Sequence, residues 1–295
     1  LVQVNLRKLN LEYKTAHGVK DFVPKRKQPF TRSILCDTLL GTPNGYGLGR
    51  YVVKHDSRRW RSLSALVRTL AQTGFRKAEL SVDKHGSPCD ADCLSHANLR
   101  WLLRGRSYSS SDAKSLLPYP QPGDYAILTP PPSKADPFDV VWGDKPIWLA
   151  YTGDALCAFS GLADIVLHDM PANSPHSHAL FSDDDGLPFS GAQLDALLHH
   201  MLRRHYSDAT ARNYSWHSAR IWLACALLAS NASRAQIQAV CRWQTEESLN
   251  VYAMLGASQY SALLGSAMAV DIDAARAATL ADAVPFIDRD DLHRA

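Results

Sequence analysis

The sequence predicts a mainly helical domain carrying a small antiparallel sheet, an α+β architecture. Three observations lead there. Apolar residues recur at helical spacing in separate stretches, Leu63, Leu66, Val67 and Leu70 being the clearest, with Leu194, Leu197, Leu198 and Met201 and then Ile221, Ala224, Cys225 and Leu228 following later. Between Pro118 and Tyr151 the character changes to short β-type runs. The chain has 295 residues, of which 46% are hydrophobic, enough for one large core or two modest ones.

Taken in order, residues 1–28 end in the basic, proline-containing run Val23-Pro24-Lys25-Arg26-Lys27-Gln28-Pro29, which reads as a linker into a new domain. Thr31 is placed to cap a short helix through about Leu40, closed by Gly41-Thr42-Pro43-Asn44-Gly45. The helix around Leu63 stops at Thr73-Gly74 and delivers Phe75-Arg76-Lys77-Ala78-Glu79-Leu80. The β-type runs are Tyr125-Ala126-Ile127-Leu128, Phe138-Asp139-Val140-Val141-Trp142 and Ile147-Trp148-Leu149, expected as a meander, with Lys134 near the tip of the proline-rich first connection. Helical pattern returns at Leu194, continues through Leu228, breaks at Asn231 and restarts after Ser233 with Ile237, Val240 and Cys241. Thr245 followed by Glu246 and Glu247 starts a short last helix carrying Tyr252 and ending near Gly256. An Ala-rich helix is expected from Ser261 to Ala283, with Leu263, Leu264, Met268 and Val270 as its apolar positions.

The formal net charge is only +3, but it is unevenly spread. Residues 1–60 carry 12 Lys/Arg against 4 Asp/Glu, whereas residues 261–295 carry 6 Asp against 3 Arg. A basic leading segment suits phosphate contact, and a solvated basic face is its plainer reading. No run of about 18 apolar residues is present and no signal peptide is recognisable, so no membrane partner and an intracellular location are expected. The chain begins at Leu1, which reads as a piece of something longer. Six cysteines are scattered and read as reduced thiols. His85, Cys89, Cys93 and His96 fall within twelve residues, but their spacing matches no common zinc finger, and a polar loop without metal is the expectation.

The stretch Trp216-His217-Ser218-Ala219-Arg220 puts His217 and Arg220 three residues apart, on one face of a helix, where both can address one ligand. Alone the pair is weak. Arg220 is followed 23 residues later by Trp243 and nine residues after that by Tyr252, while Gln72-Thr73-Gly74-Phe75-Arg76-Lys77-Ala78-Glu79-Leu80 stands upstream. Together these boxes resemble the tyrosine recombinase (integrase) family: a Thr-Gly-Leu-Arg-x-x-Glu-Leu segment, a β-hairpin lysine, a His-x-x-Arg box, a His or Trp, and a tyrosine nucleophile nine residues further. The similarity spans about residues 29–270, the expected catalytic domain. Residues 1–28 then become a linker or the remnant of an N-terminal DNA-binding domain, and 271–295 a C-terminal tail.

The resemblance implies DNA strand cleavage and rejoining through a 3′-phosphotyrosyl intermediate, with Tyr252 as nucleophile. Arg76 and Arg220 would clamp the non-bridging oxygens, since planar guanidinium groups match that geometry with two donors each. Tyrosine is a poor nucleophile at its free pKa near 10, and His217 would help it ionise. Lys134 would protonate the departing 5′ oxygen. Trp243 donates through its indole N–H and cannot accept, which suits a phosphate ligand rather than a base. Glu79 would support Arg76 through a buried ion pair. Each has a competitor: taken alone, Trp243 reads as a core aromatic, Lys145 lies on the turn after the hairpin, and Tyr260 stands 17 residues from Trp243.

No metal and no cofactor is implied. The implied partners are double-stranded DNA and further copies of the chain, a tetramer on paired sites, with the nucleus as location in a eukaryote and the cytoplasm in a prokaryote. A family member has a helical core-binding domain ahead of the catalytic one, and here only about 28 residues precede it. Either that half of the clamp has been removed or DNA binding is weak and salt-sensitive. The insertion across 82–135 and the Ser-Ala between His217 and Arg220 resemble recombinases of eukaryotic, DIRS-like retroelements. The Ala-rich terminal helix would pack on a neighbouring protomer by that resemblance, or equally on its own domain. Two other functions stay open: a type IB topoisomerase-like activity, distinguished by resealing the same strand, and a non-catalytic DNA-binding relic, distinguished by forming no covalent intermediate.

Overall fold

In the computed structural model, Thr31 Oγ1 accepts from the Ile34 amide at 3.0 Å and starts a short π-helical segment, α1 (Ile34–Leu40), that buries Ile34, Leu35 and Leu39. The structure describes residues 27–41, 46–48, 51–54, 56–84, 86, 87, 89, 93–131, 145–170, 178–242 and 257–269. A two-stranded hairpin, β1 (Tyr46–Leu48) with β2 (Tyr51–Val53), follows. Then comes α2 (Arg58–Thr73), started by Ser57 Oγ accepting from the Trp60 amide and ended by Gly74 in the left-handed conformation. Its Leu63, Leu66, Val67 and Leu70 are all buried, as their spacing requires.

A four-stranded antiparallel sheet comes next: β3 (Leu99–Leu103), β4 (Arg106–Ser109), β5 (Tyr125–Leu128) and β6 (Ile147–Ala150), in the order β4-β3-β5-β6. Two of the expected runs are present as β5 and β6. They pair directly, Tyr125 with Ala150 and Leu128 with Ile147, so the expected order with a third run between them does not hold. The run 138–142 lies outside the described residues. The neighbour on the other side of β5 is β3, a strand not expected from the sequence, and the β3–β4 hairpin is closed by Arg104 and Gly105, both with positive φ. The buried Asp124 carboxylate holds that turn, accepting from the Arg104 amide at 2.7 Å and the Gln121 amide at 2.9 Å.

Beyond a single turn, α3 (Ser110–Ala113), the remaining elements are helical: α4 (Ala158–His168), α5 (Gly191–Arg203), α6 (Asp208–Ala211), α7 (His217–Ala229), α8 (Arg234–Val240) and α9 (Ala257–Ala269). The break at Asn231, with φ 62°, and the restart at Ser233, which caps α8 with Gln236, fall where expected. Helix α4 was not foreseen. It lies against α2, and at Gly161 a Cβ would stand 2.9 Å from the Ala65 Cα, so only glycine lets the backbones approach this closely. Trp101 of the sheet meets Phe159 of α4 edge-on, centroids 5.0 Å apart, joining sheet and helices into one core that runs from Phe30 to Met268.

The start of α2 is tied down by charge. Arg61 forms two hydrogen bonds, of 2.8 and 2.6 Å, to the buried Asp169 carboxylate at the end of α4, and Arg59 meets Asp184 at 3.3 Å. Helix α9 packs against α7 and β6 of its own chain, burying Leu264, Ala267 and Met268. Residues 1–26 and 270–295, which include half of the Lys/Arg of the basic leading segment and all six Asp of the acidic end, lie outside the described residues. Among the described residues no helix is long and apolar enough to cross a membrane.

Candidate active site

Helix α2 terminates where α7 and α8 converge. The Gly74 N–H reaches the Leu70 carbonyl at 3.3 Å, and φ 59° turns the chain sharply out of the helix. A Cβ on Gly74 would lie 3.4 Å from the Cys241 Cα, 3.5 Å from Leu223 Cδ2 and 3.7 Å from Arg220 Cγ. This close approach joins three stretches that the sequence keeps far apart: the Thr73–Glu79 box, the His217–Arg220 box and the turn after α8.

From that junction the loop is built residue by residue. Thr73 Oγ1 donates to the Thr69 carbonyl at 2.7 Å and accepts from the Phe75 amide at 3.3 Å, while the Phe75 ring is buried. Arg76 is exposed. Its backbone N–H donates to Glu79 Oε2 at 2.6 Å, which fixes the direction of the chain without engaging the guanidinium. Lys77 anchors the loop to α5 through Asp195 at 2.6 Å.

His217 begins α7 and Arg220 sits one turn further in, 6% exposed. Burial and then the positive charge of Arg76 depress the Arg220 pKa, although the group stays protonated at any ordinary pH. Loss of hydration, followed by the charges of Arg220 and Arg76, holds His217 below the usual histidine value, so its imidazole is neutral and able to accept a proton near pH 7. Helix α7 is anchored by Trp222 and Ala226 on its far side and by Leu223 and Leu227 on the side of Arg220, all buried. What results is a concentration of positive charge around a neutral base, suited to an anion with spread charge.

Arg76, Glu79, His217 and Arg220 are therefore brought to one region. Lys134, Trp243 and Tyr252 lie outside the described residues, and the chain leading to the last two leaves the site at Arg242. The buried ion pair expected between Glu79 and Arg76 is instead one between Glu79 and Arg242, Oε1 to Nη1 at 3.6 Å, both side chains below one tenth exposed. The physical reason is the loop: with its backbone amide on the carboxylate, Arg76 turns its side chain outward. Sequence reasoning missed Arg242. Its only signal was one charge inside the otherwise apolar run Ile237 to Trp243, interrupted besides by Gln238.

The cysteines are all free thiols among the described residues, and burial raises Cys241 to about 12 and Cys225 to about 11, which makes both unreactive at neutral pH. Cys89 Sγ approaches the Cys93 carbonyl at 3.9 Å, His96 is buried and His85 lies outside the described residues. No group of three or more His, Cys, Asp or Glu able to hold a metal occurs among the described residues. Compared with protein-family models, with curated proteins and with solved structures, the chain matches none.

Proposed function

We propose that this protein cleaves and rejoins DNA strands as a tyrosine recombinase, with a catalytic domain of that family's type over residues 29–270. The single observation that carries the reading is that Arg76 lies within electrostatic reach of His217 and Arg220 where Gly74 meets Arg220, so that two boxes matched on spacing alone are also neighbours in space. In the proposed reaction Tyr252 Oη attacks a backbone phosphorus, the bond to the 5′ oxygen breaks, and a 3′-phosphotyrosyl link forms. Neutral His217 takes the phenolic proton, directly or through water. Arg76 and Arg220 stabilise the charge developing on the non-bridging oxygens, and Trp243 adds an indole N–H donor. Lys134 supplies the proton that leaves with the 5′-hydroxyl. Attack by a 5′-hydroxyl from a second strand reverses the sequence of events and releases the tyrosine. Joining two duplexes needs several active sites on paired DNA, hence a homo-oligomer, proposed to be a tetramer.

The test uses nicked suicide substrates made from DNA flanking the encoding element. A covalent protein–DNA adduct is expected with the native sequence and is expected to disappear in Tyr252→Phe. Persistence of the adduct in that variant would assign the nucleophile elsewhere, Tyr260 being the first alternative.

A further inference from the structure

Arg242 stands out on three counts. It directly follows Cys241, the C-cap of α8, with φ 54°, a left-handed position where glycine is the usual occupant and a Cβ is disfavoured. Its guanidinium is buried, with the carbon 5.0 Å from the Phe75 ring centroid. It also faces the Glu79 carboxylate, whose second oxygen holds the Arg76 amide. A residue kept in an unfavourable backbone conformation in order to bury a charge beside a candidate site suggests a role for its side chain.

The electrostatics of the cluster suggest which role. Arg76 and Arg242 both bear on Arg220 as like charges, and Glu79 is the carboxylate that opposes them there. A buried carboxylate deprived of its partner seeks another cation, and Arg220 lies within its electrostatic reach. We propose that Arg242 is a positioning residue: it holds the Glu79 carboxylate and so keeps it from drawing Arg220 and Arg76 away from the orientation that meets a phosphodiester oxyanion. This inference rests on the cleavage reading above for its ligand, but the arrangement of the charges can be measured without any DNA.

Three variants test it in the full chain: Arg242→Gln, Glu79→Gln, and the two combined. Glutamine at 79 keeps an oxygen for the Arg76 amide while removing the charge. With suicide substrates under single turnover, Arg242→Gln should slow adduct formation about tenfold to a hundredfold, the scale of a misplaced catalytic group. DNA affinity should be retained, and the double variant should recover most of the lost rate. A second readout is the titration of His217 followed by NMR. Freed Glu79 would neutralise the neighbouring arginines, so the His217 midpoint should rise in Arg242→Gln and fall back in the double variant. Arg220 and Arg76 are the arginines that hold His217 down, so a shift of its midpoint reads a change in their disposition. A native rate and native midpoint in Arg242→Gln would overturn the proposal, as would a double variant no better than the single one in both readouts. If the native protein forms no adduct, the cleavage reading fails while the titration still decides the role of Arg242.

Discussion

His217 is the residue whose chemistry can be read most directly from its surroundings. The ring is exposed, but partial loss of hydration and two arginines hold its pKa below the usual histidine value, which favours the form able to accept a proton. If it serves Tyr252 as base, the acid limb of the single-turnover cleavage rate should lie below the ordinary histidine value of about 6.5. Removing one of the two charges, as in Arg76→Gln, should move that limb upward even as the rate falls. A limb at or above 6.5 in the native protein would mean that another group takes the proton. Around His217 the residues named from sequence and the residue missed from sequence divide along a physical line. Spacing along one helix announces His217 and Arg220, whereas Arg242 is defined by a left-handed turn and by partners 163 and 167 positions earlier, Glu79 and Phe75. No local pattern encodes such a partnership.

Among the elements, α2, α5, α7 and α8 were legible because amphipathic spacing and capping residues agree: Ser190 with Gln193 and Ser233 with Gln236 mark two of the starts. The sheet was half legible. Strands β5 and β6 carry enough β-type residues to be seen, but β3 presents Leu102 as well as its buried Leu99, Trp101 and Leu103, which blurs the alternation. Helix α4 escaped because its only punctuation, Gly161, resembles a breaker and because Cys157 gives it no side-chain cap. Gly161 instead marks the α2–α4 crossing at Ala65. Gly161→Val should therefore force the two backbones apart and cost about 1–3 kcal/mol, the usual range for overpacking. Thermal unfolding measures it, and a native midpoint in that variant would mean the crossing is looser than the 2.9 Å approach implies.

For the molecule as a whole, acid should be the weak direction. His96 is buried beside Arg58 and His178, its Nδ1 meets no hydrogen-bond partner among the described residues, and burial depresses it to about 4. The unfolded chain binds this proton near pH 6.5, the native state only near 4. Stability from a neutral His96 is thus fully present above 6.5 and is lost as pH falls from 6.5 to 4, on the order of 3 kcal/mol in all. His96→Gln should flatten that part of the stability–pH curve measured by urea unfolding; an unchanged slope would assign acid sensitivity to other groups.

Helix α9 gives the molecule a direction in time. Arg32 of the first helical turn donates to the carbonyl of Met268, and Leu264 and Met268 fill space against α7 and β6. A chain growing from its amino end has made every other described element before it makes this one. The nascent protein therefore carries an open apolar seam on α7 and β6 until residue 269 has left the ribosome, and only then can the core close.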